Sequence, residues 1–300
     1  MNAILFGAGA SYGAGDIVPE RPPLGNQLFA ELARCFRGSW GSLPAEVAQL
    51  FSENFEKGMA LLWERFSTFV PALMQHMASF FVQFRPRKPA TTLYCRLIRA
   101  IEAAHARERI LLSTLNYECL LEHSIWQASL PVNYGDFPQA DGITVWKLHG
   151  ACNLLPEGVA ATRGVSYTSG IGFGTAIRPA KDLNEVLEFC LGDNSLPPVM
   201  CLFMPGKPIQ VSAGSISAVQ AAWREKVMAA DRVAVVGVFP NVEDTHVWDV
   251  LANVPGELFY VGGADPFQQW AAKYRGDKPT KLLAERFDAA FDSLIDLMVN

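Results

Sequence analysis

Four short segments carry the residue types that could do chemistry. Gly7-Ala8-Gly9-Ala10-Ser11 is a turn of small residues. The run from Ser113 to Glu118 places the Asn116 amide and the Glu118 carboxylate close together. Lys147-Leu148-His149-Gly150 sets an imidazole ahead of a glycine. The stretch from Val235 to His246 holds Gly237, Val238, Asp244 and a second imidazole. The chemistry these suggest is that of a nucleotide. A glycine turn lets backbone N–H groups close on a pyrophosphate, and a helix N-terminus adds partial positive charge. An Asn amide both donates and accepts, so Asn116 can fix a hydroxyl and a water together. An imidazole takes up a proton near neutrality, which suits His149 to general-base work. Each motif alone is weak. The turn reads G-x-G-x-S, and Tyr12 stands where the dinucleotide fingerprint has its last glycine. A single Asn after a strand is commonly a turn or cap residue. His76, His105 and His123 lie in helical stretches and receive no role, and His246 is read as structural.

These segments follow apolar, β-branched runs that read as strands: Ala3 to Phe6, Arg109 to Thr114, Ile143 to His149, Val199 to Met204, Arg232 to Gly237 and Glu257 to Gly263. None has a polar alternate face, as expected of parallel strands covered by helices on both sides. Helical patterns lie between them: Gly25 to Phe36, Thr91 to Ala106, Glu118 to Trp126, Ile216 to Ala230, Val242 to Ala252 and Lys281 to Met298. The alternation predicts an α/β fold, a Rossmann-like doubly wound parallel sheet of about six strands. In such a sheet ligands sit beyond the carboxyl ends of the strands, where all four motifs fall. Two segments depart from the repeat. Residues 45–90 form a helical insertion rich in Phe, Met and Trp, with Pro71 expected to kink or break it. Residues 154–195 are patchy and Gly-bearing, and read as a loop-rich insertion. The rest of 1–300 reads as a single domain.

The chain has 300 residues, half of them apolar, enough for a full-sized core. A net charge of -5 argues against a nucleic-acid footprint, which needs a basic face. No apolar run approaches the length of a membrane span, and the N-terminus lacks the basic region of a signal peptide. A cytoplasmic protein without membrane attachment is the expectation. No two of the six cysteines lie in a C-x-x-C spacing, so neither a zinc module nor another metal site is expected.

Taken in order, "GAGAS", "TLNYE", "KLHG" and "VVGVFPNVED" resemble the sirtuin-like family, in its bacterial branch of NAD-degrading antiphage-defence proteins. "LFMPGKP" at Leu202 to Pro208 fits the same pattern. The resemblance spans nearly the whole chain apart from the two insertions. It implies NAD as substrate, with Gly7, Ala8, Gly9, Ala10 and Ser11 at the phosphates. Asn116 would hold the nicotinamide ribose and the attacking water, and His149 would be the general base. Glu118, Gly237, Val238 and Asp244 would line the NAD pocket. The implied activity is release of nicotinamide and ADP-ribose. A homo-oligomer or a separate sensor or activator protein would restrain it. The aromatic surface around Trp63, Phe66, Phe69, Phe80 and Phe81 is the candidate contact.

The chain departs from the family pattern at several points. Glu118 stands where the family usually has Asp. Leu115 replaces the Gln of the deacetylase branch. Val238 and Phe239 replace a hydroxyl-bearing residue after Gly237. The paired zinc cysteines are absent, which counts against protein deacetylation. A non-catalytic NAD or ADP-ribose sensor is the alternative, and a protein deacylase or ADP-ribosyltransferase a third reading. A dehydrogenase would want the full glycine fingerprint and an acid after the second strand, and finds neither.

Overall fold

The structure is a computed structural model and describes residues 1–135, 142–158 and 176–300. Among the described residues seven strands form one parallel sheet: β1 (Asn2–Phe6), β4 (Ile110–Thr114), β5 (Val132–Tyr134), β6 (Ile143–Lys147), β9 (Arg232–Val236), β10 (Glu257–Val261) and β11 (Thr280–Ala284). Two small antiparallel pairs stand outside it, β2 (Ile17–Val18) with β3 (Arg85–Pro86), and β7 (Leu154–Pro156) with β8 (Ile177–Pro179). The helices are α1 (Ala8–Tyr12), α2 (Gly25–Cys35), α3 (Ala45–Glu53), α4 (Phe55–Phe66), α5 (Val70–Phe81), α6 (Leu93–Ala103), α7 (Leu120–Trp126), α8 (Leu183–Leu191), α9 (Ala213–Met228), α10 (Thr245–Asn253), α11 (Ala264–Tyr274) and α12 (Phe287–Met298).

Strand pleating divides the apolar residues between two cores. Ile4, Phe6, Leu112, Val145, Ala234 and Val236 point to one face, where they meet α6, α7, α12 and the helical insertion. Ala3, Leu5, Leu111, Trp146, Val233 and Val235 point to the other, against α9, α10 and α11. Burial on both faces explains why these strands carry no polar alternate. Phe6 alone contributes about 2 kcal/mol by leaving water. Tyr94 stands edge-on to its ring at 5.1 Å.

The strand order is β11-β10-β9-β1-β4-β6-β5. From β1 the chain passes to β4, then out to the edge strand β5, and comes back to β6 between those two. It then returns to the opposite side of β1 and builds outward again through β9, β10 and β11. The switch point therefore lies between β1 and β9, where an open α/β sheet forms its crevice. The register sets Phe6 level with Thr114 and Val236, and Thr114 level with Lys147. Four strands thus end at one height.

The doubly wound parallel sheet expected from the sequence is present, with corrections to the elements around it. Val199–Met204 is no sheet strand: Met200 bridges Gly150 and Cys201 bridges Ile209, both antiparallel. Its apolar residues are buried in the core all the same, which is why the run imitates a strand. Lys281–Met298 is not one helix, because β11 occupies its start. The partly polar β11 and the three-residue β5 lacked a readable pattern. Of the 154–195 stretch, residues 159–175 lie outside the described residues; the described part contains β7, β8 and α8. In the helical insertion Pro71 sits in the first turn of α5, where its missing N–H costs nothing. The break falls ahead of it, in the 3-10 turn Ser67–Phe69. The expected aromatic surface is not there: Phe80 and Phe81 are core residues, Trp63 and Phe66 pack against the core, and Phe69 alone of the five is exposed.

Candidate functional site

The glycine turn that follows β1 approaches another backbone. Gly7 N–H donates to Val236 O at 2.9 Å, Gly9 N–H to Gly237 O at 2.9 Å, and Ala10 N–H to Gly7 O at 3.0 Å. A Cβ on Gly7 would lie 2.6 Å from Gly237 O and 2.7 Å from Val238 Cγ2. Gly237 has a left-handed backbone, φ +67°, and its Cβ would lie 2.1 Å from Ala10 N. The turns after β1 and β9 interlock at the switch point, with no space for side chains between them. Tyr260 of β10 donates to Val238 O at 2.8 Å and fixes the second turn.

Ser11, buried in α1, is the hub of the next layer. Its hydroxyl donates to Glu118 Oε1 at 2.6 Å and accepts from Asn116 Nδ2 at 2.9 Å. With that proton given to Glu118, the Tyr94 hydroxyl is the donor in its 3.0 Å contact with Ser11. Asn116 Nδ2 also donates to Gly7 O at 3.1 Å, and Asn116 N–H to Thr114 Oγ1 at 3.0 Å. The amide of Asn116 therefore bridges the exits of β4 and β1. Glu118 Oε2 accepts from Leu120 N–H at 2.5 Å, so the acid also closes the start of α7. Burial, and then the Glu118 charge, push the Tyr94 hydroxyl well above its ordinary value and keep it a donor. Behind this layer Lys147 Nζ donates to Glu118 O at 2.7 Å and pairs with Glu122 at 2.9 Å, both partners fully in the core. Burial raises the Glu122 carboxyl, against the pull of Lys147. Burial is also the largest single effect on Lys147 and opposes its charge, but Glu122, Cys119 and Glu118 together outweigh it and hold that pKa above ordinary.

A second cluster forms at the exit of β6. His149 is only 5% exposed, and its Nε2 lies 2.8 Å from His246 Nε2 in the first turn of α10. Gly150 turns with φ +70°, and its Cβ would sit 2.0 Å from Val199 O. Cys201 N–H donates to His149 O at 2.8 Å. This close antiparallel run carries the chain on to Lys207. Lys207 adopts φ +43° and is buried. Its Nζ pairs with Glu56 of α4, lies 3.3 Å from Asp244 Oδ1, and stands 4.8 Å from the Phe203 ring centre. Asp244 Oδ1 has the ion pair but no hydrogen bond. Burial, then Lys207 acting against it, leave the Asp244 carboxyl above its ordinary value. Burial lowers both imidazoles. His149 falls well below 6.5, with His246 and Lys207 adding to the effect, and His246 falls to about 4, with Lys207 adding. Both rings are neutral at pH 7.

The expected residues thus fall into two groups on one sheet edge. Gly7, Gly9, Ala10, Ser11, Asn116, Glu118, Gly237 and Val238 form the first, with Ala8 exposed beside them at the start of α1. His149 and Asp244 belong to the second, together with His246, Lys207 and Glu56, which sequence reasoning did not assign. Lys207 had a signal, its place in "LFMPGKP". Glu56 had none, because an acid on an insertion helix looks like any solvated acid. The two groups stand at the exits of neighbouring strands, β4 and β6. Tyr117 bridges them, its hydroxyl donating to Cys201 O at 2.9 Å and its carbonyl accepting from Cys152 N–H at 2.9 Å. Two clefts lie elsewhere. One of about 350 Å³ is lined by α11 and β11, and one of about 510 Å³ lies between α6 and α12. In the first, the Arg275 guanidinium donates to the carbonyls of Leu251, Val254, Gly256 and Pro279, which marks it as a structural staple.

Among the described residues no group of three or more His, Cys, Asp or Glu is placed to hold a metal ion, and no helix is long and apolar enough to cross a membrane. Compared with models of protein families and with curated proteins, the chain matches none.

Proposed function

We propose that this chain hydrolyses NAD at the nicotinamide–ribose bond, releasing nicotinamide and ADP-ribose. The observation that carries the reading is the placement of Asn116 and His149 at the exits of the adjacent strands β4 and β6, beside the glycine turns at the switch point. Cleavage of this bond develops positive charge on the ribose. The protein has to orient the sugar, exclude bulk water and position one nucleophile. Asn116 suits the orienting role because its amide both donates and accepts. It is half-buried and already bonded to Ser11. Exchanging one such neutral hydrogen bond for another to a ribose hydroxyl changes little in free energy, about 1 kcal/mol either way. His149 is neutral at pH 7 and so free to take a proton, though burial, which lowers its pKa, makes it a weaker base than a solvated imidazole.

The reading places NAD as substrate, with no metal required. Its setting would be bacterial antiphage defence by NAD depletion, in a cytoplasmic homo-oligomer or under a separate activator. Nicotinamide release from NAD by the purified protein tests it, beside Asn116→Ala and His149→Ala. Release by the wild type and a loss of ~10²-fold or more in each variant is the expected result. Absence of both release and thermal protection by NAD refutes the NAD reading.

A second reading, a sensor that binds NAD or ADP-ribose without turnover, draws on one specific observation. The exit of β9 presents Val238 and Phe239 and no hydroxyl. Thermal protection without nicotinamide release, in the presence of candidate activators as well, selects this reading.

A further inference from the structure

We propose that His246 is the proton outlet of His149, a positioning residue that passes to solvent the proton taken up at the buried ring. The inference rests on the hydrolase reading above. The two Nε2 atoms are 2.8 Å apart and the ring centres 4.9 Å apart. At that separation two lone pairs repel and two N–H groups collide, so one hydrogen lies between the rings. With His149 as donor, its other nitrogen, Nδ1, carries a free lone pair and is its basic atom. His149 is nearly sealed from water, whereas His246 is half-buried on the first turn of α10. A base that cannot reach solvent needs a neighbour that can. The charged groups facing the pair are those of the second cluster. Lys207 lies near both rings, and its ammonium is held by Glu56 of α4 and Asp244 ahead of α10. Its positive charge disfavours a proton resting on either imidazole, so the proton moves on.

The steps balance. The water oxygen bonds to the anomeric carbon. The carbon–nitrogen bond breaks, and its electron pair returns to the pyridinium nitrogen, which becomes neutral nicotinamide. The surplus proton of the water goes to His149 Nδ1. The hydrogen on His149 Nε2 crosses to His246 Nε2, and the hydrogen on His246 Nδ1 leaves to solvent. One proton is released per NAD cleaved. Once product has left and water enters the emptied site, His149 Nδ1 gives up its proton to that water, the shared hydrogen returns from His246 Nε2 to His149 Nε2, and His246 Nδ1 takes a proton from solvent, which restores the starting tautomers.

The test compares wild type, His246→Gln, His246→Ala and His149→Ala with NAD, reading kcat, KM and pH profile. Glutamine keeps a hydrogen bond to His149 Nε2 but cannot relay a proton, so it separates relay from simple support. The relay predicts a fall of ~10²-fold in kcat for His246→Gln at unchanged KM. Added imidazole restores His246→Ala in proportion to its concentration and does not restore His149→Ala. Wild-type kcat and pH profile in His246→Gln overturn the relay while leaving the hydrolase reading intact. If wild type releases no nicotinamide, with candidate activators present as well, the hydrolase reading fails, and the pair is judged without turnover by ¹⁵N spectra of the imidazoles. A signal from one hydrogen shared between the two Nε2 atoms, lost in His246→Gln, upholds the pair. Two independent rings overturn it.

Discussion

A glycine series decides what the turn after β1 is for. Gly237→Ala places a Cβ 2.1 Å from Ala10 N and 2.5 Å from Gly9 C, in a backbone with φ +67°. The left-handed conformation costs a non-glycine residue ~1–2 kcal/mol. Forcing a methyl into a closed contact adds ~1–3 kcal/mol. The sum is about 2–5 kcal/mol, a large share of the 5–15 kcal/mol typical of a whole domain. Gly7→Ala meets Gly237 O at 2.6 Å with an ordinary φ, so only the packing cost applies. Gly9→Ala meets Gly237 Cα at 3.0 Å and is milder. Gly13→Ala is the control: its Cβ meets nothing closer than 3.4 Å, φ is -93°, and the residue is exposed. Its effect stays within ~0.5 kcal/mol. Urea unfolding at constant m reads the order directly: Gly237, then Gly7, then Gly9, then Gly13. Stability within ~0.5 kcal/mol of wild type for both Gly237→Ala and Gly7→Ala would refute the interlock and return the glycines to ligand binding alone.

Two more predictions concern charge. His246 is lowered to about 4 from 6.5 in the folded chain, and His149 is lowered as well, so the unfolded state binds more protons between these values. Stability contributed by the neutral pair is therefore present above pH 6.5 and is lost as pH falls toward 4; His246→Gln flattens that slope in unfolding measured across the window. In the core, Lys147→Met strands the Glu122 carboxylate and costs ~3–5 kcal/mol, while the double variant with Glu122→Leu recovers most of it. A double variant no more stable than Lys147→Met would show that the cost lies in packing and not in the unpaired charge.

The parallel sheet was legible because strands buried on both faces leave long apolar runs, as in Val233 to Val236. Val199–Met204 shows the limit of that signal: Val199 to Leu202 are buried outside the sheet, and periodicity cannot tell that burial from sheet pairing. The motif residues were legible as a set because each ends a strand. What they bond to was not. Ser11, read as a phosphate contact, is the acceptor of Asn116 and the donor to Glu118. His246, read as structural, meets His149 ring to ring across 97 positions of sequence. Glu56 reaches Lys207 across 151 positions. Such contacts depend on how the helical insertion settles on the sheet edge, and no local pattern encodes them.

The central position of β1 has a consequence for how the chain comes into being. β1 is made long before β9, yet its pairing with β9 joins Asn2 to Arg232 and Phe6 to Val236. One side of the innermost strand stays open until β9 has left the ribosome. An unpaired apolar edge during synthesis invites mispairing, and contacts so far apart in sequence form slowly. The same delay means that no nascent chain shorter than residue 246 holds both imidazoles. Whatever the two imidazoles do together, they do only once synthesis has passed that residue.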